Sequence, residues 1–304
     1  MISVIIPSYN SENTIKLCLD SLLSQSTTEE FEIILVDSSV DSTPKIVKSN
    51  YGNVQFIHLE EKTDPGTARN IGIKNADGSI LAFIDSDCIA DPDWIEKIHL
   101  AHSSQYKVIG GVVKNANRDD DLVGLAGYIA EFRESIPGQT RKEVSHIPTC
   151  NLSFKREIFN CYGFFQGEYF PTEDRVYNYY LRKNGVKILM DPQIQVSHNH
   201  RSKLKDFLYH QKKIGFMSVK MLKSIPLEGH FIVRNRIFAF VFLPVLPIVK
   251  FWRTLFIFLR YQPRIIYKNI RVLIYYLIGI IFWIVGFAQG IYANEPIINN
   301  VSKD

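Results

Sequence analysis

The stretch Ile80–Cys88 reads I-L-A-F-I-D-S-D-C. Its five leading apolar residues predict a buried strand, and the run ends on two carboxylates, Asp85 and Asp87, with a small serine between them. Residues i and i+2 of an extended strand share a face. If the strand stays extended through Asp87, both carboxylates converge on one hard divalent cation, Mg²⁺ or Mn²⁺, which favours oxygen ligands. Two side chains leave coordination positions open, and substrate phosphates commonly fill them. A surface turn carrying two solvated acids reads the same in isolation, so the neighbouring sequence decides.

Upstream, Ile2–Ile6 predicts a continuous apolar strand stopped by Pro7, with the polar loop Ser8-Tyr9-Asn10 at its carboxyl end. Ser11 or Asn13 caps a helix whose apolar positions Ile15, Leu19, Leu22 and Leu23 recur at helical spacing. Phe31–Val36 reads as a second strand ending in Asp37, Thr43–Asn50 as a helix and Val54–Leu59 as a third strand. This alternation predicts an α/β fold, a parallel sheet wrapped by helices. Ligands of such sheets bind beyond the carboxyl ends of the strands. The rule gathers Pro7, Tyr9, Asp37, Asp85 and Asp87 at one edge. There Tyr9 is either a stacking platform for a base or an ordinary half-buried loop aromatic, and Asp37 is an acceptor for a base or ribose. The segment D-P-G-T-A-R-N-I-G-I-K-N-A-D-G-S at 64–79 opens a helix at Gly66-Thr67 and terminates at Gly78. A helix N-terminus suits phosphate, and Arg69 adds a bidentate donor for the same anion.

Taken in order and spacing, S-V-I-I-P-S-Y-N at 3–10, V-D-S-S-V-D-S-T at 36–43, G-T-A-R-N-I-G-I at 66–73 and F-I-D-S-D at 83–87 resemble the family 2 glycosyltransferases with a GT-A fold. The resemblance implies a Rossmann-like, mostly parallel sheet, a nucleotide-diphosphate-sugar donor contacted by Pro7, Tyr9, Asp37, Arg69 and Asp85, and a Mg²⁺ or Mn²⁺ cofactor at Asp85 and Asp87. One departure is visible. Families of this type usually read D-D-G-S after the second strand, whereas this chain has Asp37-Ser38-Ser39, leaving Asp37 as the base-side contact and the nucleotide open.

The block I-P-T-C-N-L-S-F-K-R-E-I-F at 147–159 resembles the family's strand and turn under the acceptor pocket, with Asn151 near the sugar and Arg156 as a structural or phosphate-side partner. In F-F-Q-G-E-Y-F-P-T-E-D at 164–174, Glu173-Asp174 opens a helix, where an acid pair complements the macrodipole without further purpose. The resemblance instead makes Asp174 the general base, with Glu173 second. Val186–Met190 and Ile194–Val196 read as strands turned by Asp191-Pro192, followed by S-H-N-H-R-S. By the resemblance His198 completes the metal or diphosphate site, with His200 and Arg201 as phosphate-side alternatives. The Q-x-x-R-W signature of processive synthases is absent, which implies transfer of a single sugar, inverting by single displacement.

At 304 residues and 46% hydrophobic content, the chain can bury one large domain with a smaller appendage. Four cysteines without C-x-x-C spacing indicate neither a zinc site nor a disulfide framework. The opening M-I-S-V-I-I-P lacks the features of a signal peptide, so the first domain is expected in the cytosol. Charge divides the chain: residues 1–198 hold 19 Lys+Arg against 27 Asp+Glu, and the rest 16 against 4. The basic half also holds the longest apolar runs, which favours an anionic membrane surface over nucleic acid.

Val108–Val113 reads as a strand, and Asp119–Asp121 as a charged, solvated loop within the polar stretch 114–146. The run Val272–Tyr292 is 21 residues without a formal charge, long enough to span a bilayer. Ile237–Val249 is 13 residues with Pro244 and Pro247, fitting a re-entrant or interfacial segment. Six basic side chains and no acid lie in 250–271, a pattern of the cytoplasmic side. The expectation is a catalytic domain at 1–202 on the cytoplasmic side of the cell membrane, basic amphipathic helices at 203–268, and a transmembrane helix at 272–292, with two spans left open. The expected acceptor is a membrane-presented, lipid-linked saccharide of cell-envelope polysaccharide biosynthesis. Two rivals stand beside it: transfer to a polyprenyl phosphate, which needs no base, and a non-catalytic nucleotide-sugar-binding module, which needs no acid pair.

Overall fold

A computed structural model describes residues 1–293. Residues 1–117 and 134–200 form one compact unit; residues 118–133 and the chain from Arg201 onward form a second. The first unit holds nine strands among the described residues: β1 Ile2–Ser8, β2 Phe31–Asp37, β3 Gln55–His58, β4 Ile80–Phe83, β5 Cys88–Ala90, β6 Val108–Asn115, β7 Lys142–Val144, β8 Leu152–Lys155 and β9 Ile188–His198. Their order is β3-β2-β1-β4-β8-β6-β9-β5, with β7 also on β9. Strands β1 to β4 are parallel, as their helical crossovers require. Beyond β4 the sheet is mixed: β8 is antiparallel to β4 and β6, β9 is parallel to β6, and β5 and β7 are antiparallel to β9. The expectation of a mostly parallel sheet describes the first half.

Pro7 does not stop the first strand. β1 continues to Ser8, with Pro7 paired to Val36 and Ser8 to Asp37. Ile5 directs its carbonyl toward the β4 side, where it accepts from Ile84, and Pro7 two residues on faces that same side. Pairing with β4 ends at Ile5–Phe83, so the missing N–H of Pro7 leaves no ladder bond unmade. The helix Ile15–Leu23 is preceded by Thr14 rather than by Ser11 or Asn13, and Cys18 takes the buried position expected of Leu23, which is exposed.

The acidic stretch differs more. β4 ends at Phe83, and Cys88 N–H donates to the Asp85 carbonyl at 3.0 Å, closing a turn. Asp85 and Asp87 therefore do not share the face of one extended strand. β9, conversely, is one strand of 11 residues running through Asp191-Pro192. Its irregularity is absorbed by a register shift between Gly110 and Val112, where any Cβ on Gly111 would overlap the Ile194 carbonyl.

Phe83 anchors the core, meeting Phe154 and Phe165 edge to face at 5.6 Å each, while Phe159 stacks on Tyr177 at 5.6 Å. Such pairs add roughly 0.5–1.5 kcal/mol each beyond burial. The helix Pro65–Lys74 presses Gly72 against Ile5 of β1, where a Cβ would collide with the isoleucine side chain. That close approach fixes the height of Arg69 over the sheet edge.

The second unit is helical. Its helix Leu122–Glu131 lies in the stretch read as polar; it is apolar on nearly every face, so no amphipathic stripe announces it. Asp121, from the supposed solvated charge run, caps it by accepting from Gly124 N–H at 2.8 Å. The run Ile237–Val249 is split between the helices Arg236–Phe242 and Val245–Tyr261. Among the described residues Val272–Tyr292 is the helix long and apolar enough to cross a membrane.

Candidate active site

Arg69 projects from the helix Pro65–Lys74 into the acidic edge and is spent there. Its Nη1 donates to Glu173 Oε1 at 2.8 Å and its Nη2 to Asp85 Oδ1 at 2.7 Å. The side chain is 3% exposed. Burial works against its charge, but Asp85 and then Glu173 more than offset this and hold the guanidinium above its ordinary range. The expectation of an open anion donor is thus corrected: Arg69 bridges two carboxylates. The helix start is likewise occupied, since Asp64 accepts from Thr67 N–H at 2.9 Å. Glu173, nearly fully buried, is pushed up to about 7 by burial, against the pull of Arg69 and with help from Asp174.

Asp174 differs from its neighbour. Its carboxylate is 15% exposed, and Oδ1 accepts from Arg175 N–H at 2.7 Å. Its Oδ2 lies 3.8 Å from His146 Nε2. The sequence reading passed over His146, because a lone histidine in a polar stretch carries no pattern. Asn178 defines its tautomer. One Asn178 side-chain atom lies 3.0 Å from the Ile147 carbonyl, which can only accept, so that atom is the amide nitrogen. The same nitrogen lies 3.0 Å from His146 Nδ1, making Nδ1 an acceptor and placing the ring proton on Nε2, toward Asp174. Burial, followed by Arg175, lowers His146 to about 4, consistent with a neutral ring.

The second acidic position pairs with β9. His198 Nε2 lies 3.3 Å from Asp87 Oδ1, because Cys88 and His198 are register partners across β5 and β9. Ligand-capable atoms of Asp87, Cys88 and His198 lie within 4.8 Å of one another. Adjacent ligands of an octahedral cation at ~2.1 Å stand about 3 Å apart, so Asp87 and His198 fit one Mg²⁺ or Mn²⁺. Cys88 is fully buried, and soft sulfur does not suit these cations. Asp85 stands outside this set, held by Arg69. His200 packs its ring against His198 with centroids 4.3 Å apart, and Arg201 is exposed.

The remaining expected residues divide. Tyr9 is partly exposed, with Lys62 Nζ 4.2 Å over its ring, while Pro7 is buried in β1. Asp37 is 0% exposed, accepting from Ser39 N–H and Oγ–H at 3.1 and 2.5 Å and lying 2.9 Å from His58 Nδ1. It organises the loop after β2 and presents no oxygen to a base. Asn151, expected near the sugar, is also buried and fully engaged: Oδ1 accepts from Trp94 Nε1–H at 2.9 Å, and Nδ2 donates to the Val112 and Ile194 carbonyls at 2.9 and 3.0 Å. It ties β6 and β9 to the turn before β8. Arg156 takes its structural alternative, donating to the Gly78 and Ala76 carbonyls.

The profile described as "Glycosyl transferase family 2" matches residues 3–163, a span that includes Arg69, Asp85, Asp87 and His146. Glycosyltransferase AglE of Haloferax volcanii is 34% identical over 176 residues, 53% of this chain and 55% of that protein, so the chain spans about half the length of that relative. The dolichyl N-acetyl-α-D-glucosaminyl phosphate 3-β-D-2,3-diacetamido-2,3-dideoxy-β-D-glucuronosyltransferase of Methanococcus voltae is 26% identical over 300 residues, 90% of this chain and 88% of that one. Among solved structures, the mannosyltransferase PcManGT from Pyrobaculum calidifontis, in complex with GDP-Man and Mn²⁺, matches with a TM-score of 0.61 and 16% identity, covering 97% of this chain and 88% of that one. With its profile matched over more than half the sequence, the chain belongs to glycosyl transferase family 2.

Proposed function

We propose that the chain is an inverting, metal-dependent glycosyltransferase that moves one sugar from a nucleotide-diphosphate sugar to a hydroxyl of a membrane-presented, lipid-linked saccharide. The observation carrying this reading is the contrast between adjacent acids: Glu173 is buried on Arg69, while Asp174 is partly open beside His146. Asp174 is therefore the general base, and Glu173 a structural acid that holds Arg69 and through it Asp85. Asp174 takes the proton of the acceptor hydroxyl as that oxygen attacks the anomeric carbon. The bond from this carbon to the diphosphate oxygen breaks with its electron pair on the departing nucleoside diphosphate, and single displacement inverts the centre. His146 does not receive the proton, since its Nε2 already carries one and its Nδ1 is held by Asn178. It is a positioning residue for the Asp174 carboxylate. Mg²⁺ or Mn²⁺ held by Asp87 and His198 would supply positive charge against the leaving diphosphate. Asp85, oriented by Arg69 and part-exposed, and Tyr9 are the donor-side contacts.

The acceptor class is supported by the Methanococcus voltae relative, whose name gives a dolichyl-linked sugar phosphate as its acceptor. A donor with Mn²⁺ is supported by PcManGT, which binds GDP-Man and Mn²⁺ on the same fold. The basic, apolar second unit fits a role at the cytoplasmic face of the cell membrane, in cell-envelope polysaccharide assembly. The test is release of nucleoside diphosphate by the detergent-purified protein across a panel of nucleotide sugars, with Mn²⁺, Mg²⁺ or EDTA and membrane lipid extract. One donor should turn over with metal, Asp87→Ala should abolish the metal response, and Asp174→Asn should lower turnover about 10²–10⁴-fold. Unchanged turnover in Asp174→Asn would point to a phosphate acceptor instead, and no turnover with any donor to a binding module.

A further inference from the structure

The helix Val272–Tyr292 has the composition of a membrane span, yet its neighbours within the second unit do not. It runs beside Leu204–Ser224 with backbones almost touching. Gly279 lies on the Phe207 ring, Gly215 on the Trp283 carbonyl, Gly286 on the Lys212 carbonyl, and Gly290 on Phe216 and Val219. From Gly279 on Phe207 to Gly290 on Phe216 and Val219 the contacts move toward the C-terminus of both helices, so the pair is parallel. Lys223 Nζ adds a bond to the Gly290 carbonyl at 3.1 Å. A bilayer that contained one helix would have to contain the other.

Leu204–Ser224 cannot meet that demand. It carries Lys205, Asp206, Lys212, Lys213, Lys220 and Lys223, and its Lys212 backbone sits against Gly286, inside the last two turns of Val272–Tyr292. A second lysine reaches nearer the middle from another helix, since Lys250 Nζ stands 4.4 Å over the Trp283 ring. Lysines near the ends of a span can snorkel to the interface, but lysines at its midpoint are strongly disfavoured. Parallel spans would also require the intervening chain to cross back. The helix available for this, Val245–Tyr261, holds Lys250, Arg253 and Arg260.

The outer side tells what covers it. Ile274, Leu277, Ile281 and Val285 recur at helical spacing and are all exposed, as are Phe240 and Trp252. The segment 250–271 supplies six basic side chains and no acid, charge complementary to anionic headgroups. We propose that Val272–Tyr292 does not cross the membrane but lies along one leaflet, as the apolar ridge of a monotopic face that binds anionic lipid. This assignment does not rest on the transferase reading.

The experiment uses the full chain in sealed membrane vesicles of both orientations and a membrane-impermeant maleimide. Cys161 of the sheet unit is exposed, whereas Cys18, Cys88 and Cys150 are buried, so native Cys161 reports the side of that unit. A cysteine appended after Asp304, in a Cys161→Ser background, reports the side of the C-terminus. Labelling of both from the same side is expected; labelling from opposite sides would overturn the proposal. In a second arm, purified protein is floated with phosphatidylglycerol-containing or purely phosphatidylcholine vesicles. At least tenfold more protein should float with the anionic vesicles, and the double variant Arg264→Glu/Lys268→Glu should lose most of that advantage. Equal flotation with both vesicles, or a lipid-free dimer that floats with neither, would assign the face to another partner and sink the idea.

Discussion

Asp37 and Asp174 are carboxylates of the same sheet unit, and they are built for opposite duties. Around Asp37 every oxygen is met by a donor from the chain itself: Ser39 through its backbone and hydroxyl, with His58 alongside. Around Asp174 one oxygen is held by a backbone N–H and the other faces His146 at a distance too long for a hydrogen bond. The first arrangement is closed, and the second leaves a carboxylate oxygen without a hydrogen bond from the sheet unit's backbone, the opening on which the proposed base role rests. Between the extremes stands Glu173, buried like Asp37 but balanced by a charge rather than by hydrogen bonds alone. Burial and partner supply, not residue type, separate structure from chemistry at this edge.

The largest expected effect tests the intermediate case. Arg69→Met leaves Glu173 and Asp85 without their shared cation and should cost about 3–5 kcal/mol of stability, read by urea denaturation. Adding Glu173→Gln to that variant should recover much of the loss; no recovery would mean that Glu173 is not the stranded charge. Next, Asp37→Asn sets an amide donor against donors and should cost about 2–3 kcal/mol, whereas Asp174→Asn should stay within about 0.5 kcal/mol of the parent. Equal losses would erase the contrast between the two sites.

A smaller effect follows from the ionisation of Glu173. Its carboxyl is raised from 4.5 to about 7 in the folded protein. Between these values the unfolded chain has released a proton that the folded chain keeps, so this group's contribution to stability is full below pH 4.5 and falls as pH rises toward 7. Stability should fall across that window, and Glu173→Gln should flatten the profile measured by denaturant titration at several pH values. A parent profile already flat would place Glu173 with the ordinary solvated acids. The smallest effect concerns His146. His146→Ala should lower kcat about tenfold, about 1.4 kcal/mol, with KM unchanged, because the imidazole that faces the Asp174 carboxylate is removed. His146→Gln, which keeps a donor, should restore most of the rate; a matching loss in both variants would leave the histidine a packing residue.

Much of this architecture was legible in residue order. The alternation from Ile2 to Phe83 announced parallel strands with helical crossovers, and the helix Thr43–Asn50 appears over the expected residues. Family motifs pointed to the acidic edge. Where the reading missed, local pattern carried no information about partners. Asn151 sits in a motif that suggested sugar contact, but its three hydrogen bonds come from Trp94, Val112 and Ile194. The helix Leu122–Glu131 lacks an amphipathic stripe because it is enclosed nearly all round. The strand through Asp87 looked continuous because a turn of small and acidic residues costs no apolar periodicity.

The sequence by itself determined the α/β order, the placement of acids after the strands and the division into an acidic front and a basic, apolar back. These follow from chain connectivity and local hydrophobic period, both written in neighbouring residues. Only the tertiary structure decided which acid is closed and which is open, because the deciding partners are remote: Arg69 reaches Glu173 across 104 residues, and His146 meets Asp174 from another segment of the chain. A carboxylate's ionisation and availability depend on burial and on the donors around it, and folding, not composition, brings those to the site.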